Sequence, residues 1–244
     1  MEPTLPPSPH PSFEAIQGPG TATRHLTLIH HKGNCVAQYG AQSGAPSFVG
    51  IMILHFLRRE DNIAALTRSL DNNIVFDVSW EYVRYLEQTC KERHGFGWNH
   101  YPDFQGFTND HSELPPSLDR NLGAGILHII TTATLPVPVC RRFDLLLDYT
   151  CCEWTYVVDL DARCFEVYGP VCPIPRNRLS IGQESADGYV EAGPVSLAGY
   201  SFDELPDDER FLEELQQREY SEVAKVLDEF VDWTRGEAEP GAEE

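Results

Sequence analysis

The stretch Cys151 to Gly169, CCEWTYVVDLDARCFEVYG, alternates with period two on both sides of a polar break. In its first half Trp154, Tyr156, Val158 and Leu160 share one side, and Thr155, Val157, Asp159 and Asp161 share the other. After Asp161-Ala162-Arg163 the alternation resumes, with Phe165 and Val167 against Glu166 and Tyr168. Successive side chains of a strand point to opposite faces, so the pattern predicts a central antiparallel hairpin with one buried face.

A second hairpin is predicted from His25 to Tyr39, with Lys32-Gly33-Asn34 as its turn. Ser43-Gly44-Ala45-Pro46 then breaks the strand, and Pro46 or Ser47 opens an apolar helix to about Arg59. A short helix is expected over residues 62–70. Ser79 is placed to cap another, to about Arg93, on which Trp80, Val83, Leu86 and Cys90 form the apolar stripe. Residues 94–116 lack periodicity and read as a long irregular loop. Leu118, Leu122, Ile126, Ile129 and Ile130 predict one helix, whose Gly123 and Gly125 suggest close packing on the sheet. Pro136 and Pro138 restrict residues 135–140 to an edge strand or a connection. The Pro- and Gly-rich stretch Pro170 to Gly193 reads as a loop, and Val195 to Phe202 as the last strand. Hairpins separated by helices make this an α+β fold, an antiparallel sheet packed against helices.

The ends differ in composition from the middle. Residues 1–23 hold six prolines and form a Pro-rich leader, expected to be disordered, whose Pro-Pro-Ser-Pro-His-Pro core suits an aromatic groove. A single α+β domain is expected over 24–235, ending in an acidic amphipathic helical region from residue 207. An acidic tail follows at 236–244. From Asp203 onward there are sixteen acidic and four basic residues, so −12 of the total charge of −20 lies there. Such a chain is repelled by phosphate backbones, which argues against nucleic acid. The longest apolar run, Phe48 to Leu57, is ten residues, about half a membrane span. With no signal peptide, the seven cysteines are expected to be reduced thiols in a cytoplasmic protein, with the nucleus as the other compartment.

Four stretches resemble a widespread, largely uncharacterised family of fungal proteins with some bacterial relatives. The first joins Thr23-Arg24, His31-Lys32-Gly33 and Val36-Ala37-Gln38-Tyr39-Gly40, and the second is Pro46 to Leu57. The third is Ser117 to Ala124. The fourth, the most specific, is Cys152-Glu153-Trp154-Thr155-Tyr156-Val157-Val158-Asp159-Leu160-Asp161, a C-E-W-x-Y-V-x-D-L-D motif, with Phe165 to Tyr168. The resemblance spans roughly residues 23–205 and implies an intracellular α+β domain, but it brings no established activity. Where the family usually shows Asp-Gly-Tyr-Pro, this chain has Ser43-Gly44-Ala45-Pro46.

Several groups are candidates for chemistry. His30, His31 and Cys35 share a short hairpin, but adjacent strand residues diverge and structural zinc needs four ligands. His94, His100 and His111 fall in the irregular loop. Cys152 and Glu153 open the central strand; a thiol beside a carboxylate is a poor nucleophile without a nearby cation, so a buried structural thiol is the simpler reading of Cys152. His55 and His128 are its conceivable helical partners. Asp159, Asp161 and Glu166 could hold a magnesium ion, or simply decorate a solvated turn. Phosphate-loop, dinucleotide and nucleophile-elbow motifs are absent from the sequence, so no cofactor is expected. Two functions remain. One is a non-catalytic accessory or interaction module that binds a basic partner, or another copy, on residues 203–235. The other is a hydrolase-like or biosynthetic enzyme with its site between the 94–116 loop and the Cys152-Glu153 strand, where His100 or His111 would meet Cys152 or Glu153.

Overall fold

A computed structural model describes residues 23–94, 115–148, 152–172, 178–179, 181–185 and 188–218. The leader, most of the 94–116 loop with His100 and His111, and everything after residue 218 lie outside the described residues. The first hairpin forms as its turn chemistry requires. Strands β1 (His25–His31) and β2 (Asn34–Gly40) are joined by Lys32 and Gly33. Both turn residues have positive φ, 48° and 75°, the two-residue turn that matches strand twist. The central hairpin pairs β5 (Trp154–Asp159) with β6 (Cys164–Cys172). Its turn is fixed by Asp159, whose Oδ1 accepts from the Asp161 and Ala162 amides at 3.0 and 2.8 Å.

Between the hairpins run α1 (Ile51–Leu57), α2 (Glu60–Asp71), β3 (Val75–Asp77), α3 (Trp80–His94), α4 (Ile126–Thr132) and β4 (Val137–Val139). A π-helical turn, Pro46–Gly50, leads into α1 with Pro46 in its first positions. Ser79 caps α3, its hydroxyl accepting from the Tyr82 amide at 3.2 Å. After β6 come β7 (Ile181–Ser185), β8 (Gly188–Ser201) and α5, residues 208–218.

The main sheet runs β2-β1-β5-β6-β8-β7. It is mostly antiparallel, but β1 and β5 are parallel, so the two hairpins lie side by side through their first strands. The strands β3 and β4 form a separate parallel pair.

Three expectations change. Every residue of β5 is buried, so the central hairpin has two covered faces rather than one. Trp154, Tyr156 and Val158 face the helices, while Val157 joins Leu26, Leu28, Leu145 and Leu179 on the other side. The apolar pattern from Leu118 to Ile130 is not one helix. It passes through 3₁₀ turns at Pro116–Leu118 and Gly123–Gly125, because Gly123 takes a left-handed φ of 49°, and only then enters α4. The stretch 170–193, read as a loop, contributes the end of β6, all of β7 and the start of β8. Pro194 is tolerated in β8 because it pairs with Val171 beside a register shift in the β6–β8 ladder. The strand at Val137–Val139 is the edge strand that its prolines allow, in a two-stranded sheet whose other member, β3, carries no alternation to announce it. Among the described residues no helix is long and apolar enough to cross a membrane.

Candidate functional site

Cys152 lies in the cluster on the side of the sheet away from the helices. Its Sγ donates to the Trp154 carbonyl at 3.3 Å and lies 3.3 Å from the Thr155 hydroxyl. His55 and His128 are on α1 and α4, which pack on the opposite face. His55 is bonded to Asp208 at 2.8 Å and His128 stands edge-on to Phe56, so the sheet separates both from Cys152. Glu153 joins β5 to β1: its carboxylate accepts from the Arg24 amide at 3.3 Å and its own amide donates to the Arg24 carbonyl at 3.0 Å.

The acidic trio does not stay together. Asp161 turns toward the helical side, accepting from the Lys32 amide at 2.7 Å and lying 3.3 Å from His31 Nδ1. His31 Nε2 contacts Asp71 at 2.7 Å. Asp159 and Glu166 remain on the other face, both held by Arg178, at 2.6 and 2.8 Å. Burial pushes the Asp159 carboxyl up, but the Ala162 amide and the Arg178 guanidinium outweigh it, and its pKa ends below the usual range. The sequence offered no sign of Arg178, which sits in the stretch read as a loop. Among the described residues no three potential ligands are placed to hold a metal ion.

On that same face a polar row crosses four strands in register, Cys35 opposite His30, His30 beside Asp159, and Asp159 opposite Cys164. Cys35 Sγ lies 3.4 Å from His30 Nε2. A reactive thiolate–imidazolium pair needs a lowered thiol pKa and a raised imidazole pKa. Here burial pushes the Cys35 thiol up to about 11 and, with Arg178, pulls His30 down. The pair rests neutral, and the row is built for packing rather than nucleophilic attack.

Across the sheet lies a buried polar group that the sequence did not mark. His25 is 1% exposed, and among the described residues neither ring nitrogen has a hydrogen-bond partner; Thr27 Oγ1 and Gln38 Oε1 beside it likewise have none there. Burial drives the His25 pKa down to about 3. The ring fits only because three backbones close on it without side chains. A Cβ on Gly40 would stand 2.0 Å from its Cε1, one on Gly123 2.2 Å from Nε2, and one on Gly44 2.9 Å from Nδ1. Tyr156 stands edge-on to the ring and donates its hydroxyl to the Gly44 carbonyl at 2.7 Å. The departing stretch at Ser43 to Pro46 is therefore part of this wall, with Ser43 at a φ of 53°.

Two surface features complete the inventory. A cleft of about 80 Å³ beside Val75, rimmed by His31, Asn34, Asn73 and Arg141, is well below the roughly 300 Å³ of a small-molecule site. The larger feature is aromatic. Phe76 on β3, Trp80, Tyr82 and Tyr85 on α3, and Phe143 in the turn after β4 are all exposed, and Leu135 before β4 joins them. The Arg142 guanidinium lies 4.5 Å from the Trp80 ring centre, and Arg141 pairs with Asp77 at 2.6 Å. Among the described side chains of α3 only Val83 is buried, so this helix turns most of its surface outward.

Among the described residues this is an α+β fold in which Cys152, Glu153, Asp159, Asp161 and Glu166 are each engaged in hydrogen bonds or ion pairs. No family model, curated protein or solved structure matches the chain.

Proposed function

We propose that the protein is a non-catalytic accessory or protein-interaction module, and that it binds its partner on the surface formed by β3, α3 and the Phe143 turn. The observation that carries this is the exposure of Phe76, Trp80, Tyr82, Tyr85 and Phe143, by 39 to 65%, on β3, α3 and the turn after β4, with Arg142 stacked on Trp80. Aromatic and arginine side chains are the usual anchors of protein interfaces, and apolar patches of this kind mark contact surfaces. In its described part, residues 208–218, the acidic helix already spends some of its charge within the domain. On α5, Asp208 is occupied by Arg58 and His55, and Glu214 by Arg210 and Tyr200. The free thiols of Cys35, Cys140 and Cys164 support a reducing, cytoplasmic location.

The family resemblance belongs to this proposal as well. Three of its four stretches meet at His25, through Gly40, Gly123 and Tyr156, which supports reading them as one shared structural unit. The competing enzyme reading loses support from Cys152 and Glu153, both engaged in hydrogen bonds that hold β5. Native mass spectrometry of protein purified from its host at low salt tests the proposal. The expected result is a second polypeptide retained by the wild type and lost from the double variant Tyr82→Ala/Tyr85→Ala. A bound small molecule released on denaturation, with no polypeptide, would refute it.

A further inference from the structure

The small sheet of β3 and β4 leaves one edge open. In its parallel ladder the Val137 amide donates to the Ile74 carbonyl at 2.7 Å, and the Val78 amide to the Val139 carbonyl at 2.9 Å. Backbone groups alternate sides along a strand, so Ile74, Phe76 and Val78 turn theirs toward β4, and Val75 and Asp77 turn theirs away. Among the described residues no hydrogen bond engages the amide or carbonyl of Val75 or Asp77. The outer edge of β4 cannot offer the same, because Pro138 stands there without an amide. We infer that an extended segment of a partner adds to β3 as a third strand, bonding the backbones of Val75 and Asp77 and placing a small aliphatic side chain in the cleft beside Val75. This rests on the reading of β3 as part of the interaction surface.

The surroundings of the edge define what the segment carries. Paired residues of neighbouring strands share a face, so the residue opposite Val75 points where Val75 points. That is the cleft of about 80 Å³, whose apolar lining is Ile29, Val36, Leu70 and Val75. A cavity of about 150 Å³ accepts benzene, so about half that volume suits a valine-sized group and excludes an aromatic ring. The next residue of the segment falls on the other face, beside Phe76, which is 47% exposed. The chain carries −20, so basic residues flanking the segment add attraction. The exposed aromatics present roughly 500 Å², short of the about 800 Å² per side that a folded partner or a second copy needs. An edge of three residues resists unselective pairing, and the cleft adds the side-chain selectivity that backbone bonds lack.

Amide exchange followed by NMR on the full-length chain tests the inference. In the free protein the Val75 and Asp77 amides are expected to exchange at least tenfold faster than that of Phe76, which faces β4. The probe is a capped heptapeptide, Lys-Thr-Thr-Val-Thr-Thr-Lys. With a Kd of about 0.1 mM, about 1 mM peptide slows both amides about tenfold. Methylating the peptide nitrogens at every second residue from its second position, or replacing its central valine by phenylalanine, should abolish the slowing. Val75→Pro removes an outward amide but no bond to β4, so it should lose the peptide, while Val75→Ala keeps that amide and should still bind. Circular dichroism and a protected Phe76 amide verify that both variants fold. Slow exchange at Val75 and Asp77 in the free chain would overturn the inference, as would no slowing at 1 mM peptide. Equal slowing by the methylated or the phenylalanine peptide would overturn it too, and so would a native dimer that Val75→Pro abolishes. If strand addition fails while a host polypeptide is still lost from Tyr82→Ala/Tyr85→Ala, the interaction surface stands and only the docking mode is wrong.

Discussion

The His25 cradle makes a quantitative prediction. Substituting Gly40 by alanine places a Cβ 2.0 Å from Cε1, 2.4 Å from Nε2 and 2.7 Å from Nδ1 of His25, where an ordinary contact needs about 3.5 Å. The ring has little room to retreat, since Gly123 and Gly44 close on other edges and the site is fully buried. Overpacking of a well-filled core costs about 1–3 kcal/mol, and with no flexible neighbour to yield Gly40→Ala should lie near 3 kcal/mol. His25→Ala removes the obstacle. In that background Gly40→Ala should cost only about 0.5 kcal/mol, leaving a coupling energy of about 2.5 kcal/mol. Gly123→Ala behaves differently, because its positive φ adds about 1 kcal/mol that His25→Ala cannot relieve. Urea unfolding followed by circular dichroism measures all of these, with the m-value confirming that the same transition is compared. If Gly40→Ala costs the same with and without the imidazole, the ring is not what keeps that position a glycine.

The same histidine should make the fold acid-sensitive. Its folded pKa of about 3 lies below the ordinary 6.5, so between those values the unfolded chain binds the extra proton and stability falls as pH falls. The loss is about 1.4 kcal/mol per pH unit, or about 2 kcal/mol by pH 5. Urea midpoints at pH 7 and pH 5 should converge in His25→Ala, and an unchanged pH dependence in that variant would refute the assignment. Cys35 should be sluggish: a thiol pKa near 11 in place of 9 leaves about a hundredfold less thiolate at pH 8. Peptide mapping after iodoacetamide treatment reads this directly, and labelling in the folded chain as fast as in urea would count against a half-buried, neutral Cys35–His30 pair.

What the sequence disclosed was local. Both hairpins were legible because alternation and turn chemistry sit within a few residues of each other, as at Lys32-Gly33 and Asp159 to Arg163. The helix misread over Leu118 to Ile130 shows the limit: apolar spacing survives two 3₁₀ turns, and only the conformation of Gly123 reveals the break. The strands β7 and β8 hid behind a high proline and glycine content that a ladder irregularity accommodates. The His25 cradle had no local signature, since Gly40, Gly44 and Gly123 converge from distant positions. Arg178 was invisible for the same reason, so Asp159 and Glu166 read as a solvated turn or a magnesium candidate rather than as the two arms of an ion pair. The aromatic surface was half legible. Tyr82 and Tyr85 lie off the Trp80-Val83-Leu86-Cys90 stripe in the sequence, but that Trp80 within the stripe is exposed as well follows only from where α3 sits.

The size of that surface argues for the kind of partner it takes. Five aromatic side chains of about 200–250 Å² each, exposed by 39 to 65%, present roughly 500 Å². A stable complex between folded domains buries about 800 Å² on each side. At about 25 cal/mol per Å², burying 500 Å² returns on the order of 12 kcal/mol, much of which is consumed by lost translational freedom and ordered side chains. A folded partner would need contacts well beyond β3, α3 and the Phe143 turn to bind stably. An extended segment of the partner needs fewer, because it loses less entropy on docking than two folded surfaces that must be matched side chain by side chain.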